Sequence, residues 1–138
     1  MSEAESQTYP DIVEHLKMIQ NVIDRLARNS FWLRGWNATL AVGWLAFVTR
    51  VGATEAPLAY LIPVPFALLF LLDGYYLWQE RLFRRLYDHT RQQENADFSM
   101  STAPFRASET YLAAVFSRTT LLFHGALGVL LVLILLTR

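Results

Sequence analysis

The sequence contains no cysteine among its 138 residues. A disulfide, a thiolate nucleophile and a cysteine-based metal site are therefore all excluded. Lysine is almost as scarce, since Lys17 is the one lysine beside eleven arginines. Basic and acidic residues balance at 12 each, so net charge gives no reason to expect a nucleic-acid partner.

Enzyme motifs are missing as well. The chain has no glycine-rich phosphate loop, no HExxH and no serine-centred elbow. Two acid–histidine pairs occur, Glu14-His15 and Asp88-His89. Adjacent helical residues point about 100° apart, so each pair offers one good metal ligand, and we interpret both pairs as solvated. We predict a protein that is not an enzyme and that uses no metal or cofactor.

Apolar side chains, in contrast, are abundant. They make up 54% of the chain, and the mean hydropathy is +0.25. Three runs, at about 31–51, 58–78 and 119–137, approach the ~20 residues that a membrane span needs. We therefore predict an all-α integral membrane protein with three transmembrane helices. Lysine and arginine flank the runs ten to two, which predicts a cytoplasmic N-terminus and a C-terminus on the outer side.

The remaining segments predict a helical stem. Residues 1–8 are polar and indicate a disordered tail, followed by one domain over 9–138. Two helices extend from the spans into the cytoplasm, over 10–30 and 79–97, and 98–108 is a Ser/Thr/Pro-rich loop. Apolar residues in the first stem helix follow a heptad pattern: Ile12, Leu16, Ile19, Ile23 and Leu26. This seam either packs on its own chain, with the stripe at 82–87 as partner, or forms a coiled coil between subunits.

Four polar residues lie inside the predicted spans, namely Arg34, Asn37, Asp73 and His124. Counting ~1.5 Å per residue from the outer ends places them within about one helical turn of the same depth. An unpaired carboxylate is costly there, so we expect an Arg34–Asp73 pair. Two alternatives stay open: each group reaches the headgroups independently, or the layer is an ion or proton path.

Small residues recur on two of the helices. Gly35, Thr39 and Gly43 are spaced by four residues, and Gly128 lies in a similar stripe on the third helix. Such patterns allow helices to approach closely, within one bundle or between subunits. Together with the heptad seam, they predict a homo-oligomer.

The segments "EHLKMIQNVIDRLARNSFWLRGW" and "LDGYYLWQERLFRRLYDHTR" resemble a family of small bacterial membrane proteins, over roughly residues 11–95. Members of that family resemble the membrane proteins that accompany TIR-domain and nucleotide-signalling genes in anti-phage defence. The resemblance implies a location in the bacterial inner membrane, a cytosolic TIR-type partner and an effector that disturbs the bilayer. It supplies no active site.

Two functions follow as expectations. The first is an oligomeric membrane effector in anti-phage defence, triggered by or acting with a cytosolic partner. The second is a membrane scaffold that recruits a cytosolic enzyme and has no permeability of its own. Both have the lipid bilayer as a partner.

Overall fold

The computed structural model describes residues 3–51, 63–93, 95 and 97–136. Its first helix, α1, covers Glu3–Val51 and is 49 residues long, which corresponds to about 74 Å. The helix begins at Glu3, so a disordered tail over 1–8 is wrong for residues 3–8. The sequence EAES consists mainly of good helix formers, and Pro10 is accommodated within the helix.

One face of α1 is buried along much of its length. Ile19, Ile23, Ser30, Asn37 and Ala41 are all at most 6% exposed. Their spacings of four and seven residues keep them on a single side of the helix. The heptad seam of the stem therefore continues past Leu26, where it includes the polar residues Ser30 and Asn37.

The second helix, α2, covers Pro63–Thr90 and packs antiparallel to α1. Its Leu86 joins Ile19 and Ile23 in a buried apolar cluster, against which four partly buried side chains pack: Phe83, Tyr87, Met100 and Phe105. Two residues of the predicted seam are therefore covered by their own chain, and a coiled coil between subunits is wrong for them. The other seam residues, Ile12, Leu16 and Leu26, are half-buried.

The chain after α2 turns back in short pieces. The helix ends at Thr90, earlier than the expected 97, and a 3-10 turn follows at Ala103–Phe105. Helix α3 covers Tyr111–Val115, and the Thr110 side chain caps it by accepting a hydrogen bond from the Ala113 amide. Helix α4 covers Arg118–Leu136, and the Ser117 hydroxyl accepts from the Thr120 amide at its start. The described residues form no strand.

Within the ranges that the structure describes, none of the helices combines the length and the apolar character that crossing a membrane requires. The prediction of an integral membrane protein with three spans is therefore wrong. Polar groups, among them Arg34, Asn37 and Asp73, interrupt the apolar runs of α1 and α2. The start of the second predicted span (58–62), the outer connection and residue 137 lie outside the described residues.

Large apolar side chains nevertheless remain on the surface. They lie in residues 31–47 of α1, 64–75 of α2 and 121–132 of α4, and we call them the apolar belt. Phe31 is 72% exposed, Trp32 60%, Trp36 61% and Leu122 73%. The interior between these helices is instead lined by the buried polar residues.

Candidate functional site

Asp73 of α2 is the centre of a buried polar network. Its side chain is 0% exposed, and it accepts hydrogen bonds from two helices. From α1, the Ser30 hydroxyl donates to Oδ1 and the Arg34 Nε donates to Oδ2 over 3.0 Å. From α4, His124 Nε2 lies 3.1 Å from Oδ2. One carboxylate therefore links α1, α2 and α4.

His124 extends the network back to α1. Its Nδ1 is 2.8 Å from the Asn37 Nδ2. An amide nitrogen only donates, so Nδ1 accepts, and Nε2–H donates the hydrogen bond to Asp73. Among the described residues, the buried Asn37 Oδ1 has no hydrogen-bond partner.

Aromatic rings surround the imidazole and the guanidinium. Phe70 meets His124 edge-on at 5.2 Å between centroids, and Phe123 does so at 5.1 Å. The Arg34 Cζ lies 5.9 Å from the centroid of the Phe123 ring. These rings limit the access of water, so the charged hydrogen bonds act in a medium of low dielectric constant.

Two opposing effects act on the Asp73 carboxyl. Burial raises its pKa, because a low-dielectric site disfavours the charged form. Hydrogen bonds from His124, Ser30 and Arg34, and the positive charge of Arg34, lower it. The net result is a pKa of Asp73 below its ordinary value, so the group is an anion at neutral pH.

The structure brings together all four residues of the expected polar layer. Arg34 and Asp73 form an ion pair, whereas Asn37 meets His124 rather than the carboxylate. Asp73 is fully buried, so independent contact with solvent or headgroups does not describe it. The fifth member, Ser30, was missed by the sequence analysis. It lies four residues after Leu26, where the heptad seam predicts an inward-facing position.

The predicted small-residue contacts are not made among the residues that the structure describes. A Cβ built on Gly35, Gly43 or Gly128 meets nothing within 4 Å among the described residues. Thr39 is exposed, and its hydroxyl donates to the Gly35 carbonyl of its own helix. These residues therefore face outward.

Gly74, which the sequence analysis did not single out, makes the close approach instead. A Cβ built there would lie 2.5 Å from Cγ2 and 3.0 Å from Cα of Val115. The neighbour of Asp73 must therefore be small for α3 to pack against α2. This contact places the start of α4, and with it His124, beside the carboxylate.

A second buried histidine lies at the other end of the hairpin. His15 is 0% exposed, so its interpretation as a solvated residue is wrong. Its Nε2 lies 3.1 Å from the Ser99 carbonyl, and its ring meets Phe98 at 5.4 Å. Phe98 has a φ of 51°, a left-handed conformation that brings the 97–99 loop over the imidazole. His89 is exposed, as expected.

The chemistry available to the Asp73 network is limited. Ser30 donates to Asp73 and not to His124, so the three do not form a nucleophile–base–acid relay. No group of three potential metal ligands occurs in the part of the chain that the structure describes. The arrangement joins α1, α2 and α4 through charge-assisted hydrogen bonds, and the side chains of the apolar belt lie on the outer faces of the same helices.

The fold and the site together define the class: an all-helical protein with a buried carboxylate network and an exposed apolar belt. No protein-family model, no curated protein and no solved structure matches the chain. The resemblance to membrane proteins of anti-phage defence therefore stays a prediction.

Proposed function

We propose that this protein is a self-associating helical protein that acts at lipid surfaces and has no enzymatic activity. The observation that carries the proposal is the apolar belt. Phe31, Trp32 and Trp36 each expose at least 60% of their surface within six residues of α1. Contiguous exposed apolar side chains of this size are typical of sites that bind lipid or another protein.

The polar network explains why the belt faces outward. Asp73, Arg34 and His124 occupy the interior between α1, α2 and α4, where apolar residues would otherwise gather. An unpaired buried charge is costly, so the network disfavours any arrangement that turns the belt inward. The apolar side chains are then available for an external partner.

Self-association is supported by the outward small residues. Gly35 and Gly43 lie among the belt side chains of α1, and a Cβ added to either one would meet no described atom within 4 Å outside its own stretch of helix. A second copy of the chain can approach closely there, next to exposed apolar groups that it would cover. The homo-oligomer expected from the sequence is therefore proposed through this surface rather than through Ile19 and Ile23.

The resemblance supplies a biological setting, which we propose as bacterial anti-phage defence. In that setting the protein would disturb the bilayer after a cytosolic TIR-type partner engages it. The scaffold alternative is favoured by a separate observation: the outer face of α1 in the hairpin exposes charged residues, including Glu14, Lys17, Asp24 and Arg28. Such a face suits a polar protein partner.

Flotation with lipid vesicles tests the lipid contact. The full chain is mixed with vesicles of phosphatidylcholine, with and without phosphatidylglycerol, and its oligomeric mass is measured in detergent. We expect flotation, and a large loss of it in the double variant Trp32→Ser, Trp36→Ser. Met18→Ser is the matched control, because Met18 is 41% exposed but lies outside the belt. Absence of flotation by the unchanged protein would refute the proposal.

Release of an encapsulated dye separates the two roles. An effector releases dye from vesicles that it binds, whereas a scaffold binds without release. In cells, plaque counts after phage infection, with and without the gene, test the defence setting.

A further inference from the structure

One flank of α2 changes from apolar to aromatic to basic along its length. Leu71 and Tyr75 are 45% and 43% exposed. Trp78 follows one turn later, and Arg81 and Arg85 come next on the same flank. A surface that ends an apolar region with aromatic rings and then arginines matches the order of chains, interface and headgroups in a lipid layer.

The segment at 109–113 lies along this flank and is held by specific contacts. Trp78 Nε1 donates to the Glu109 carbonyl over 2.6 Å, and Arg81 donates to the Ala113 carbonyl over 3.3 Å. The Tyr111 hydroxyl donates to the Leu71 carbonyl over 2.9 Å. These hydrogen bonds therefore fix the 109–113 segment against this flank of α2.

A cleft of about 290 Å³ lies between α2 and the start of this segment, and it is lined by Arg81, Arg84, Arg85, Asp88 and Glu109. Three arginines and two acidic residues line the cleft, so the lining is net positive. Arg85 uses its Nε on Glu109 at 2.9 Å, and Arg84 contacts Glu80 at 2.7 Å. Both side chains are more than half exposed, and each guanidinium has five N–H donors, so donors are left to face the cleft.

We propose that this arginine cleft binds the phosphate of an anionic lipid headgroup. Arginine binds phosphate oxygens in a bidentate fashion, and the arginines at positions 81, 84 and 85 line one cleft. The acyl chains of the same lipid would lie against Leu71, Tyr75 and the exposed Leu112, which is 64% exposed. Continuity between cleft and apolar belt selects a lipid over a free phosphate, because a free phosphate would use the arginines alone. The inference rests on the proposed function.

The test compares flotation of full-length variants with vesicles of phosphatidylcholine alone and with added phosphatidylglycerol. The cleft variant is Arg81→Gln with Arg84→Gln. The control is Arg25→Gln with Arg28→Gln, which removes the same charge from exposed positions on α1. Two arginines near an anionic surface correspond to a loss of roughly thirtyfold in affinity. We expect that loss for the cleft variant with phosphatidylglycerol, little change with phosphatidylcholine, and a much smaller loss for the control.

The outcomes separate this inference from the proposed function. Equal losses in the two variants would mean diffuse charge attraction and would overturn the cleft. So would flotation that depends on neither phosphatidylglycerol nor the arginines, although lipid binding itself would then stand. Displacement by inorganic phosphate at millimolar concentration would identify a free phosphate site and overturn the lipid assignment. If the unchanged protein floats with neither vesicle, the proposed function is refuted, and this inference is refuted with it.

A second variant keeps the result interpretable. Arg81→Lys with Arg84→Lys retains the charge but loses the bidentate geometry, so we expect partial recovery of the phosphatidylglycerol-dependent binding. Helical content and thermal midpoint are compared in parallel. A cleft variant that matches the unchanged protein in both, yet still binds phosphatidylglycerol normally, would overturn the inference.

Discussion

Replacing Asp73 by asparagine should strongly destabilise the fold. The carboxylate is fully buried and accepts hydrogen bonds from Ser30, Arg34 and His124. Asparagine has nearly the same shape, and its NH2 group can replace Oδ1 and donate to the Ser30 hydroxyl, while its carbonyl oxygen accepts from Arg34 and His124. Asp73→Asn therefore removes the charge, while the hydrogen bonds can be kept, so the substitution tests the negative charge opposite Arg34.

The magnitude follows from the burial of the two charges. Removing one partner of a buried ion pair costs about 3–5 kcal/mol, because the other charge is left without compensation. The Arg34 side chain is 27% exposed, so water can partly solvate the stranded guanidinium. We therefore expect a loss of about 3 kcal/mol, at the lower end of that range. For a chain of this length it lowers the thermal midpoint by roughly 10 °C.

A double-mutant cycle tests whether the pair itself is responsible. Arg34→Gln alone leaves the buried carboxylate with one donor fewer and should cost a similar amount. In the variant that carries both changes no lone charge is present, so the loss should be smaller than the sum by about 1–3 kcal/mol. Thermal unfolding in mild detergent, followed by far-ultraviolet circular dichroism, gives the three midpoints.

An exposed aspartate provides the control for the loss of charge. Asp24→Asn changes the same charge at an exposed position, where surface substitutions stay within about 0.5 kcal/mol. Strictly additive losses in the cycle would show that Arg34 and Asp73 act independently. The ion pair would then add no coupling to the stability of the fold.

Three further predictions concern pH, helix packing and the seam. Because the pKa of Asp73 is lowered, its carboxylate stabilises the fold above the ordinary pKa of 3.8, and this contribution is lost as pH falls below that value. The difference in unfolding free energy between the unchanged protein and Asp73→Asn should therefore shrink below about pH 4. Gly74→Ala should lower the free energy of unfolding by about 1–3 kcal/mol, because the added Cβ would collide with Val115. Gly35→Ala adds a Cβ in open space, so thermal unfolding should show a neutral or stabilising effect. Ile19→Ala should lower stability by about 2–5 kcal/mol through a cavity in the hairpin, while the oligomeric mass in detergent stays unchanged. A lower mass with unchanged stability would restore the seam to an interface between subunits.

The polar network could be predicted in large part from the sequence. Helical rise, counted from the outer ends of the three predicted spans, placed Arg34, Asn37, Asp73 and His124 at one level. The cost of an unpaired buried charge then predicted a partner for Asp73. The predicted spans were wrong, but the spacing of residues along each helix and the need of a buried carboxylate for a partner follow from the sequence.

The pairing in detail needed the tertiary structure. Asn37 bonds to His124 and Ser30 bonds to Asp73, and the choice depends on how α1 and α4 are rotated about their axes. The start of α4 follows α3, which packs closely against α2 at Gly74, a contact between residues far apart in the chain. No periodicity reports such a contact, because Gly74 looks like any other small helical residue.

The extent of burial was also beyond the sequence. Hydropathy alone suggested three membrane spans, yet within the described residues no helix meets the requirements for one. His15 seemed solvated until the 97–99 loop was seen to cover it. By itself, the sequence determined that the protein is helical and which residues share a helical face, since both follow from repeats of three and four. Only the tertiary structure decided which faces meet, because that depends on loop closure and on contacts between distant segments.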